Sequence, residues 1–191
     1  TRTAGAGNAT FTLANASLEF AGGNIKLSDG VDLVANTGNK ALTVLGVRGT
    51  SYEDVTLTTS GTLTVGTGGI GSGTQIEDVS LDGTSIVLKG NITTAGTSVG
   101  NTNNVGDVDF DGAVTIDGAV TITTDVSGST VNDGKIDFAT NTIDAEGNNT
   151  DSLTLTSGSG TITLGGVVGG TTGLSSFGVN ATALTLNKNI T

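Results

Sequence analysis

Two stretches of this 191-residue chain, 98 positions apart, carry the same pattern, and any fold for the chain has to accommodate that copy. The first, from Val55, reads VTLTTSGTLTVGTGGIGSGTQIEDVSLDGTSIVLKGNIT. The second, from Leu153, reads LTLTSGSGTITLGGVVGGTTGLSSFGVNATALTLNKNIT. Leu57 matches Leu155, Leu63 matches Ile162 and Val65 matches Leu164. Ile76, Val79 and Leu81 fall on Leu174, Phe177 and Val179, while Ile86, Leu88 and Ile92 fall on Leu184, Leu186 and Ile190. The offset is 98 at both ends (153 − 55 and 190 − 92), with a one-residue shift between them. Weaker echoes run through the rest: GNIKLSDG near Gly23 resembles GKIDFATN near Gly134, and KALTV ending at Val44 resembles DSLTL ending at Leu155. GAVTI occurs at 112–116 and again at 118–122. The pattern divides the chain into units 1–95 and 96–191, each assembled from smaller strand–turn modules, with one continuous solenoid as the alternative.

The modules are strands. Apolar residues alternate with Thr, Ser, Asn or Asp in runs of about four, so that one side chain in two points inward. In the first unit these runs fall at 10–14, 17–20, 24–27, 31–34, 41–45, 54–58, 62–65, 78–81 and 85–88. In the second they fall at 107–110, 113–116, 119–123, 135–138, 152–156, 161–164, 176–179 and 183–187. Gly, Asn, Asp and Ser separate them, Pro is absent, and no apolar run keeps helical spacing for three turns. The class is all-β. Two architectures compete: a right-handed parallel β-helix, in which short strands coil around a thin core, and tandem β-sandwiches. A sandwich fills a core about 10 Å thick, usually with large aromatics. Only 3% of this chain is aromatic, and its apolar content is mostly Val, Leu, Ile and Ala. That favours the solenoid, on the order of 40 Å long at about 4.8 Å per coil.

The same residues carry a resemblance. The run LTLTSGSGTITL, then GGVVGGTTGLSSFGVNA, then a closing strand and NIT, resembles a unit of the giant bacterial repeat exoproteins related to filamentous haemagglutinin. It covers 153–191 well, 55–93 moderately, and the first 50 residues by composition alone. The resemblance implies a β-helical shaft, export across an outer membrane, and a role in adhesion or surface coating. The expected partners are other copies of the chain, end to end or side by side, and a host or neighbouring cell surface. The expected place is secreted or at the cell surface. A chain that opens on Thr1 reads as a mature or trimmed product. Its last residues, Ile190 and Thr191, align with mid-chain Ile92 and Thr93, which fits an excised array or an end completed by another copy.

Charge and chemistry narrow the function. Seven basic against eighteen acidic residues give a net charge of −11, which argues against nucleic acid and anionic membranes as partners. No run is long and apolar enough for a membrane helix, so membrane insertion is not expected. The chain has no His and no Cys, which removes the usual triads and zinc sites. Gly-rich GTGGIGSG at 66–73 has no Lys and reads as turns. An enzyme is not expected. The six Asn-x-Ser/Thr sequons, at Asn8, Asn15, Asn91, Asn148, Asn180 and Asn189, arise readily by chance in so Asn- and Thr-rich a chain. One constellation offers a cofactor. Asp107, Asp109 and Asp111 precede Gly112, with Asp117 beyond, which matches the start of a calcium loop. The closing Glu would stand at 118, where the chain has Gly118. The alternative is a strand with Val108 and Phe110 inward and the aspartates outward. A calcium-dependent surface-layer or ligand-binding module is the second functional expectation.

Overall fold

A computed structural model describes residues 7–14, 16–50, 52–73, 76–95, 106–125 and 133–191. Among them are fourteen strands and no helix. In chain order these are β1 (Ala9–Thr12), β2 (Leu18–Phe20), β3 (Ile25–Lys26), β4 (Leu33–Asn36), β5 (Leu42–Arg48), β6 (Glu53–Ile70) and β7 (Ile76–Leu88). They continue with β8 (Ile92–Thr93), β9 (Val108–Ile116), β10 (Ala119–Thr123), β11 (Ile136–Asp137), β12 (Ile143–Ala145), β13 (Ser152–Leu164) and β14 (Ser176–Leu186). Every pairing between them is parallel. The chain is a parallel β-solenoid of about seven turns.

The register sorts the strands into three stacks. The first runs through Ala9, Leu33, Val55, Val79, Val108, Ile136, Ile162 and Leu184. Successive coils therefore take 24, 22, 24, 29, 28, 26 and 22 residues, the differences between those positions. Seven steps at about 4.8 Å give a rod of about 34 Å. The second stack runs through Leu18, Leu42, Leu63, Ile86, Val114, Ile143 and Val168. The third runs through Ile25, Val47, Ile70, Ile92, Ile122, Leu155 and Val179. Long strands such as β6 bend at the corners and serve all three.

Alternation explains the core. Because inward residues recur at every second position, each stack contributes columns in which like rests on like from coil to coil. Leu57, Leu81, Phe110, Phe138 and Leu164, all at most 2% exposed, form one such column. Phe110 and Phe138 lie face to face, with centroids 4.4 Å apart and planes within 2°. Buried hydroxyls close the corners by donating to backbone carbonyls: Thr37 to Lys40 at 2.6 Å, and Thr124 to Gly134 at 2.7 Å. One apolar cluster runs through both sequence units, and β7 pairs with β9 from Val79–Val108 to Leu88–Ile116.

The 98-residue copy does not stay on its face. Val55 lies in the first stack and Leu153 in the third; Leu63 lies in the second and Ile162 in the first. From Val55 the chain makes three whole turns to Ile136 and two-thirds of another to reach Leu153. GAVTI behaves likewise: Val114 and Ile116 sit in the second stack, Val120 and Ile122 in the third. A strand of about four residues and a bend fit any of three similar faces, so the copy repeats a face rather than a coil. The strands expected from alternation are present, several of them fused. The third-stack strands at 47–48, 70 and 92–93, and β12, lie outside the expected runs.

Candidate functional site

The four aspartates singled out from the sequence do not converge. Asp107, Asp109 and Asp111 stand at alternate positions, so neighbouring Cα atoms are about 6.6 Å apart, too far for all three carboxylates to share one cation. Each has its own surroundings. Asp107 accepts the Lys135 backbone N–H at 2.9 Å, and Asp109 pairs with the Lys135 ammonium at 2.8 Å. Asp117 belongs to a different corner and binds Lys89. Asp111 lies opposite Asp82 in the neighbouring coil. Among the described residues no group of three or more acidic side chains is arranged to hold a metal ion.

What the structure assembles instead is a ladder of carboxylates entering the first stack. Asp32 accepts the Asp54 N–H at 3.1 Å, Asp54 that of Asp78 at 3.3 Å, and Asp78 that of Asp107 at 2.8 Å. Lys135 ends the ladder at Asp107. Each carboxylate thus ties its coil to the next through a charge-assisted hydrogen bond. Like charges one coil apart have a cost. Burial first, and then the charges of Asp54, Asp107 and Asp109, raise the Asp78 pKa, although the Asp107 N–H opposes the shift.

A groove crosses the corner between the first and second stacks. It encloses about 670 Å³ and is lined from Asn36 through Ser60, Asp82, Thr84 and Asp111 to Asn141. Spacer lengths explain it. Between the paired positions of the two stacks, the second coil inserts residues 37–41 and the third 59–62. The fourth inserts 83–85 and the fifth only 112–113. The corner therefore shrinks from five residues to two. The sixth coil widens again in a turn where the Asn141 N–H reaches the Phe138 carbonyl at 2.9 Å. At the narrowest point Gly112 adopts φ 150°, and a Cβ there would stand 1.7 Å from the Gly83 carbonyl oxygen, so only glycine lets the coils close up. Burial and then Asp111 raise the Asp82 pKa.

The last coil is the remaining distinctive surface. β14 pairs with β13 on one side, and in this coil Val179, Leu184 and Leu186, with Ile190 beyond the strand, are 37–48% exposed. The same positions one coil earlier, Leu155, Ile162 and Leu164, are at most 1% exposed.

Comparison with known proteins gives no matching family model, no matching curated protein and no matching solved structure.

Proposed function

We propose that this chain is a shaft segment of a secreted or cell-surface fibre or adhesin, extended by coils of a second copy stacking on its last coil. The observation that carries this reading is the rod itself, in which coil after coil pairs in parallel and shares one apolar cluster along the axis. By the 98-residue copy, Val179, Leu184, Leu186 and Ile190 correspond to Leu81, Ile86, Leu88 and Ile92. Those mid-shaft residues are completely buried, because the coil of β9 and β10 lies on them. A coil of this pattern thus accepts a further coil, from the same polypeptide or from another copy. Its unpaired backbone edge supplies hydrogen bonds in the same direction. The resemblance of 153–191 to haemagglutinin-type repeats supports an extracellular, adhesive setting and copies of the chain as partners. A rod of stacked coils gives such a fibre reach without chemistry.

Sedimentation velocity over a range of concentrations, with electron microscopy of the same samples, tests the reading. The expected result is concentration-dependent head-to-tail rods that Leu184→Asp with Leu186→Asp abolishes while thermal unfolding persists. Monomers at every concentration refute it.

A further inference from the structure

We infer that the groove between the first and second stacks is a binding site for a neutral glycan segment lying along the rod. The inference goes beyond the fibre reading and stands without it. The groove follows the rod axis from the second to the sixth coil, a span of about 19 Å at 4.8 Å per step. It is a feature of coil geometry, created as the spacer at this corner shortens from five residues to two over successive coils.

The hydrogen-bonding inventory selects the ligand. Several donors of the lining are spent within the protein. The Ser60 hydroxyl donates to Gly38 at 3.0 Å, the Thr84 hydroxyl to the Ser60 carbonyl at 2.7 Å, and Asn141 Nδ2 to the Phe110 carbonyl at 3.2 Å. Acceptors remain. The carboxylates of Asp82 and Asp111 point out of paired positions at the groove's centre, and each offers up to four lone pairs. The hydroxyl oxygens of Ser60 and Thr84 and the amide oxygen of Asn141 add more. A groove of spare acceptors under negative charge suits a ligand rich in donors and free of negative charge. Asp82 and Asp111 face each other at the centre, and the further acceptor oxygens extend along the rod from Ser60 to Asn141, so the groove suits a chain that brings donors at successive units. A polyhydroxylated, uncharged saccharide chain has that chemistry. Among the described residues no aromatic side chain lines the groove. Stacking is therefore missing, and affinity per sugar is low, with saturation near ~1 mM for a short oligomer.

The test uses the whole chain, labelled with ¹⁵N and titrated with neutral hexasaccharides built on glucose, mannose, galactose or N-acetylglucosamine. Expected are saturable amide shifts from at least one of them, confined to residues around Asn36, Ser60, Asp82, Thr84 and Asp111. A uronic-acid hexasaccharide should give none. Asp111→Ala removes a central acceptor, and Thr84→Arg fills the groove and occupies both carboxylates. Each should weaken binding at least ~10-fold with an unchanged unfolding temperature. The inference is overturned if no neutral hexasaccharide shifts these amides at ~10 mM, or if both variants bind like the parent. It is equally overturned if the uronic acid binds as well, or if spermine alone occupies the groove.

Discussion

Replacing Phe110 by Ala strikes the rod at mid-length, in the one stacked aromatic pair among the described residues. Phe110 is 2% exposed, and its ring lies 4.4 Å from that of Phe138. Phe→Ala in a core costs about 3–5 kcal/mol, and the value depends on how far the site can collapse. Here collapse is hindered, because the ladders Leu81–Phe110 and Val79–Val108 hold the coils at strand spacing. The expected cost is therefore at the upper end, about 4–5 kcal/mol, out of a total of order 5–15 kcal/mol. Phe138→Ala should cost the same. The double variant should be less damaging than the sum by about 0.5–1.5 kcal/mol, the contribution of the ring pair itself. Because each coil rests only on its neighbours, the loss also weakens coupling between the two halves of the rod. Equilibrium unfolding in urea should then show a lowered midpoint and a shallower slope. The assay is a double-mutant cycle read by far-ultraviolet circular dichroism. A cost below ~1 kcal/mol for Phe110→Ala would mean that the column closes over the gap, and the argument from rigid coil spacing fails.

Gly112→Ala should destabilise by about 2 kcal/mol or more, since φ 150° and the Gly83 carbonyl both oppose a Cβ, whereas Gly22→Ala, with open space around it, should stay within ~0.5 kcal/mol; thermal melts compare the two. The pH profile should show opposing contributions. Asp78 and Asp82 have raised pKa values when folded, so the folded state takes up their protons first, and their strain is relieved as pH falls from neutral towards 3.8. Asp151 is lowered, chiefly by the Gly147 N–H, so it contributes stability above 3.8 that is lost as pH falls through its folded value. Asp78→Asn should raise stability at neutral pH and flatten the gain on acidification; an unchanged profile in chemical denaturation contradicts the ladder argument. Lys135→Ala should cost less than ~1 kcal/mol, because the ion pair with Asp109 is exposed on both sides. Calcium and EDTA should leave the melting temperature unchanged to within error, since Asp107, Asp109, Asp111 and Asp117 are spread over separate contacts; a clear rise with calcium would mean that they converge after all.

Much of the architecture is legible in the sequence. Runs such as VTLT at 55–58 and GTLTV at 61–65 announce strands through period-two alternation, and the shortage of aromatics points to a thin core. The third stack was harder to see. Its stretches at 47–48, 70 and 92–93 are one or two residues long, and alternation needs about four residues to register. The carboxylate ladder was also hidden. Asp32, Asp54, Asp78 and Asp107 are 22, 24 and 29 residues apart, and unequal intervals show no period. Asp107, Asp109 and Asp111 drew notice because they are close in sequence, yet in a strand that closeness is what separates their carboxylates.

The sequence by itself determined that the chain is all-β and favoured coiling over a pair of sandwiches: short aliphatic strands broken by Gly, Asn and Asp, with few aromatics, suit a thin core of strands lying on similar strands. Which strand lies on which, and therefore which face each copy occupies, was decided by the tertiary structure. A bend and a four-residue strand fit three nearly equivalent faces, so local pattern is silent about position around the rod. The groove belongs to that second category. It exists because corner lengths of five, four, three and two residues come to lie side by side, and only the register of neighbouring coils brings them there.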